Sequence, residues 1–108
     1  MGEGLDVGWL RSTVEAGRIE WQRHALERMV ERGVTRADVK TVLAEGERIE
    51  DYPDAYPLPA ALFLGWRGER PLHVVAALDA TARTAYVITA YEPTAEHFEP
   101  DFRTRRRP

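Results

Sequence analysis

Apolar residues recur at helical spacing in the first half of the chain and at alternate positions in the second. Leu5, Trp9, Leu10, Val14 and Ala16 fall at mixed three- and four-residue spacings and predict a modest amphipathic helix over 5–16, ending at Gly17. Arg18-Ile19-Glu20-Trp21 reads as a short strand or an extended connector. A second helix is predicted over 22–32, with Ala25, Leu26, Met29 and Val30 on one face and Gly33 as a left-handed stop. Thr35 and Asp38 have capping-box spacing, with Asp in place of the preferred Glu. They open a third helix that buries Val39, Val42 and Leu43 and ends before Gly46.

Beyond this point the period shortens. Glu47 to Asp51 is a candidate edge strand. Tyr52 to Pro59 holds three prolines in seven residues and must be a loop. Ala61 to Arg67, Leu72 to Asp79 and Thr84 to Tyr91 are three β-rich runs joined by short turns, and such connections require antiparallel neighbours. Helices first and a meander afterwards predict an α+β fold, N-terminal helices on one face of a curved antiparallel sheet. The chain has 108 residues, the size of one domain, so 1–108 is read as a single domain with 93–108 a loosely docked basic tail.

Charge sharpens the picture of that tail. Net charge is −3, which argues mildly against a general nucleic-acid binder. Four arginines sit between Arg103 and Arg107, leaving residues 1–102 with eleven basic against eighteen acidic side chains. Cysteine is absent, which excludes disulfides, thiolate metal sites and a cysteine nucleophile. The longest apolar run, Leu72 to Leu78, is too short for a membrane span. The first residues lack a basic region followed by an apolar stretch, so no signal peptide is expected and the cytoplasm is the expected compartment.

Three features bear on chemistry. His24, Arg28 and Arg32 stand at i, i+4 and i+8 on the second helix, one stripe beside its apolar face. An imidazole flanked by guanidinium groups suits phosphodiester chemistry, moving a proton near neutral pH while offsetting phosphate charge. The same stripe also reads as a surface paired with Glu20, Glu27 and Glu31. His73 alternates with Val75 and Ala77, opposite the larger set Leu72, Val74, Ala76 and Leu78. If the larger set meets the helices, His73 faces the open side as a site residue or a structural histidine. Thr89 and Tyr91 share one face of the last strand, where Tyr91 is a phosphate donor, a base-stacking ring or a half-buried aromatic. No histidine pair has zinc-motif spacing, no glycine-rich phosphate loop is present, and Ser12 is the only serine. No metal or cofactor is therefore expected.

His24 to Val34, Pro71-Leu72-His73-Val74-Val75 and Val87 to Pro93 resemble the signature of a bacterial family known as domain of unknown function 4258. The similarity runs from about Ile19 to Arg106. That family looks like a relative of the BrnT, MqsR and RelE toxins, which cleave RNA without a metal and are encoded beside antitoxin-like partners. The resemblance implies a RelE/barnase-like fold, RNA lying across the open face of the sheet, and attack of a 2′-hydroxyl on the adjacent phosphate. Carried onto matching positions, it implies His24, Arg28, His73 and Tyr91 as catalytic residues, with Arg32, Thr89, Arg103 and Arg105 binding substrate. The acidic body and the lack of a strong catalytic motif favour a different class, a non-catalytic interaction module. Such a module would dock or dimerise through the sheet edge and the Tyr52 to Pro59 loop.

Overall fold

The computed structural model describes residues 4–107. Capping chemistry sets its helix ends. The Trp9 amide donates to the Asp6 side chain at 2.9 Å and opens α1, Val7–Glu15. Helix α2, Arg23–Arg32, closes on Gly33 at φ 68°, the left-handed region where glycine carries no Cβ penalty. The Thr35/Asp38 capping box is fully formed at the start of α3, Arg36–Glu45. On α2, Ala25 and Met29 are buried, but Val30, expected beside them, is 81% exposed. It lies about 140° around the helix from Ala25, outside the stripe that meets the sheet.

Five strands follow the alternating pattern: β1 Ile19–Trp21, β2 Glu47–Tyr52, β3 Ala60–Arg67, β4 Arg70–Asp79 and β5 Thr84–Tyr91. They form one open sheet in the order β1-β5-β4-β3-β2. β2 to β5 are antiparallel neighbours, while β1 runs parallel to β5, so the sheet is mixed rather than purely antiparallel. β1 leads into α2, which packs on β5 and holds the short strand beside it. The edges are protected in different ways: β1 has three residues, and β2 carries Glu47, Glu50 and Asp51.

All three helices cover one face. Leu72, Val74, Ala76 and Leu78 of β4 join Leu10, Met29, Val39, Leu43, Phe63 and Val87 in a single apolar core. Gly65 lets α3 approach β3 closely, since a Cβ there would lie 2.6 Å from Val42 Cγ2. The architecture is α+β with its helices in the N-terminal half. No described helix is long and apolar enough to cross a membrane.

The other face is only partly open. Where a loosely docked tail is expected, residues 97–106 fold back as a hairpin. The Glu99 amide donates to the Thr104 carbonyl at 2.8 Å, and the Arg106 amide to the His97 carbonyl at 2.9 Å. Asp101 closes the turn by accepting from the Arg103 and Thr104 amides and the Thr104 hydroxyl. Phe98 is 2% exposed beneath it. Three of the four arginines that make the tail basic find acidic partners, Arg103 on Glu47, Arg105 on Glu50 and Arg106 on Glu99. Apolar burial and paired charge hold the segment down, an attraction that composition alone does not reveal. Pro108 lies outside the described residues.

Candidate functional site

Strand register sorts the second face into three rows. Glu47, Leu64, His73 and Tyr91 stand in one row across β2, β3, β4 and β5. Glu50, Leu62, Val75 and Thr89 form the next, and Tyr52, Ala60, Ala77 and Tyr86 the third. Rows on one face of a strand are about 7 Å apart, and neighbouring strands about 4.8 Å. A bulge leaves Ile88 unpaired in β5, between Thr89 opposite Val75 and Val87 opposite Ala76.

The first two rows carry a cluster of ionisable groups. Arg105 reaches from the hairpin to grip Glu50 with two bonds, 2.6 Å to Oε2 and 3.0 Å to Oε1. The Tyr52 hydroxyl donates to the same carboxylate. The His73 ring meets Tyr91 edge-on at 5.4 Å between centroids and Phe98 at 4.6 Å. His73 Nε2 lies 2.6 Å from the Phe102 carbonyl and Nδ1 3.4 Å from the Tyr91 hydroxyl. A carbonyl only accepts, so Nε2 carries the proton and Tyr91 donates toward Nδ1. Phe102 has φ 57°, which places that carbonyl on a bulky residue in the left-handed region, a strained turn kept at this contact.

Each group is tuned by these neighbours. Burial alone would raise the Glu50 carboxyl, but the bonds from Arg105 and Tyr52 and the arginine charge hold it below the ordinary value. Burial pushes the Tyr91 phenol up, and burial together with the bond to Glu50 does the same for Tyr52. Burial pushes His73 down, only partly offset by the Phe102 carbonyl and Glu50. Bonds to Glu50 and Tyr52 push Arg105 up. At neutral pH the cluster therefore holds a carboxylate, a guanidinium, two protonated phenols and a neutral imidazole.

The third row borders a cavity of about 590 Å³. Ala60 and Ala77 form its floor, Tyr52 and Tyr86 its sides, and Tyr56, Pro57 and Leu58 an overhanging wall. Tyr52 belongs to both the cavity and the cluster.

The residues singled out in the sequence divide accordingly. His73, Tyr91 and Arg105 come together, Thr89 stands in the row between His73 and the cavity, and Arg103 sits on the rim with Glu47. His73, however, is fully buried. Its set of larger neighbours does face the helices, but Phe98 and the Phe102 turn cover the side left over. His24, Arg28 and Arg32 do not join this group. α2 packs on the helix-covered face, where His24 is exposed and Arg28 pairs with Glu31. Arg32 donates to the Ala90 carbonyl at 2.9 Å and ties the helix to β5. Glu50 and Tyr52 were not legible as site residues, although their i, i+2 spacing on an acidic edge strand places them on one face. Among the described residues, no three His, Cys, Asp or Glu side chains gather as a metal site.

The fold is an open five-stranded α+β sheet whose second face carries a cluster of ionisable groups beside a tyrosine-flanked cavity. Residues 21–92 match the model of the domain of unknown function DUF4258, and the chain belongs to that family. The match spans the three sequence blocks that carry the resemblance as far as Glu92 and leaves the hairpin beyond it. No curated protein matches the chain.

Proposed function

We propose that the protein is a metal-independent RNA endonuclease related to the RelE, BrnT and MqsR toxins. One observation carries this reading: Glu50, Arg105, Tyr52, Tyr91 and His73 converge beside an open cavity, and convergent groups with displaced pKa values are a mark of reactive sites. RNA supplies its own nucleophile, so the protein has to provide only a base, a charge clamp and an acid.

A substrate phosphate replaces Glu50 as the partner of Arg105. The carboxylate thereby loses the interaction that depresses it most and becomes a better base. Glu50 takes the 2′-hydroxyl proton as the 2′ oxygen bonds to phosphorus, and Arg105 offsets the charge gathering on the phosphoryl oxygens. The bond to the 5′ oxygen breaks, and the Tyr91 hydroxyl turns from His73 Nδ1 to give that oxygen its proton. A 2′,3′-cyclic phosphate and a 5′-hydroxyl result. His73, sealed from solvent, is a positioning residue that aims Tyr91 through Nδ1.

The test is to incubate the purified protein with single-stranded RNA in the presence of a chelator and to analyse the new ends. Cyclic phosphate ends, lost in Arg105→Ala, are the expected result; intact RNA sinks the reading. A second reading, a docking module without activity, is favoured by Tyr56, 95% exposed on the proline-rich loop, and by Ile88 exposed across the cavity from it. A concentration-dependent homodimer in light scattering, together with intact RNA, would establish it instead.

A further inference from the structure

Resting on the cleavage reading, we propose that the cavity is a nucleobase subsite that selects guanine. The third row explains its shape. Tyr52 and Tyr86 stand about 14 Å apart across four strands, and the two residues between them are alanines. The floor is thus a flat, apolar trough between two aromatic walls, a surface on which a planar base lies with little polar loss. The bulge at Ile88 opens one side, and Pro57 and Leu58 close over the other.

Besides the tyrosines, two polar side chains line this space, Gln22 and Asp79. Asp79 accepts from the Ala82 amide through Oδ1 at 2.9 Å, which fixes the carboxylate, and among the described residues Oδ2 accepts no hydrogen bond. The Gln22 side chain makes no capping bond to α2. A carboxylate only accepts. Among the four bases, guanine alone presents two adjacent donors, its ring N–H and its amino group, on one edge, and Gln22 can donate to its carbonyl. Spacing links the trough to the chemistry. Glu50 lies one row, about 7 Å, from Tyr52, a distance that a base and its own ribose span. A guanine in the trough brings its 2′-hydroxyl to Glu50, so cleavage follows guanine.

The experiment titrates the protein with guanosine, adenosine, cytidine and uridine 3′-monophosphates, following tyrosine resonances by NMR, with inorganic phosphate as a fifth probe. Guanosine 3′-monophosphate is expected to bind about 10- to 100-fold tighter than the others, the range of one good bidentate contact. Asp79→Asn retains the oxygen that caps Ala82 and should remove that preference. Ala77→Leu fills the floor and should abolish binding of all four, and Tyr86→Ala tests the same trough by an independent route. Equal binding of all four, indifference to Ala77→Leu, or a response matched by inorganic phosphate overturns the proposal. Dimerisation that closes the trough without nucleotide binding also overturns it. RNA cut equally after every base sinks the subsite and spares the nuclease; guanosine 3′-monophosphate bound while RNA stays intact does the reverse.

Discussion

The two faces of the sheet are both dry at their centres, but for different reasons. On the helix side, Phe63, Leu72, Val74 and Val87 pack against apolar side chains of three helices, and among the described residues no charged side chain is buried there. On the hairpin side, the fully buried residues include a histidine, and the cover is a short turn anchored by arginine–glutamate pairs. An apolar core of the same size would stabilise the fold more, because buried polar groups lose hydration that their partners only repay. The helix side specifies the fold. The hairpin side holds a buried histidine and paired charges at a cost in stability.

Mutations should separate the faces. Phe63→Ala opens a cavity in the helix-side core and should cost about 3–5 kcal/mol, read as a drop in the midpoint of denaturant unfolding. His73→Ala removes a buried ring and leaves the Phe102 carbonyl unpartnered. A loss of about 2 kcal/mol is expected, with hydrogen exchange rising in residues 97–106 before the sheet. Arg105→Ala breaks a half-exposed pair, so stability should fall by less than about 1 kcal/mol, while RNA cleavage falls far more. Arg23→Ala, at an exposed pair with Glu27, should leave the melting temperature unchanged. A hairpin-side variant that unfolds the protein like Phe63→Ala would erase the contrast.

Acid acts on the same face. The folded state holds His73 neutral below its ordinary value of about 6.5, so the unfolded chain binds the proton more readily. Stability is then full above that value and declines as pH falls through it toward the depressed folded value. Glu50 is depressed too, and its share is lost at lower pH, as the carboxylate protonates and releases Arg105. Melting followed from pH 8 to pH 5 should decline in the wild type and lose much of that slope in His73→Gln. An unchanged slope contradicts the assignment of His73.

Much of the fold was legible because local chemistry and period agree. The Thr35/Asp38 box, the Gly33 stop and the alternation of β4 each fix an element without help from distant residues. Three residues carry no period, so β1 reads equally as strand or connector, and only its pairing with the distant β5 decides between them. The site was harder to read. His73 and Tyr91 fall on one face by strand parity, but Glu50 and Tyr52 join them only through the register of β2 with β3. Nor does a run of arginines announce that it will fold back onto Glu47 and Glu50. The His24/Arg28 stripe has the composition of a phosphate site, yet helix packing leaves it across the sheet from the cluster.

The proposed cleavage, and its place on the hairpin side of the sheet, are tested together by comparing RNA cleavage rates of the wild type, Glu50→Gln, His24→Ala and Arg28→Ala. The account predicts at least a hundredfold loss for Glu50→Gln, within the range for removal of a general base, about 10²–10⁴, and rates within about twofold of wild type for the two helix variants. A normal rate for Glu50→Gln alongside a collapse in either helix variant would place the chemistry on α2 and contradict it.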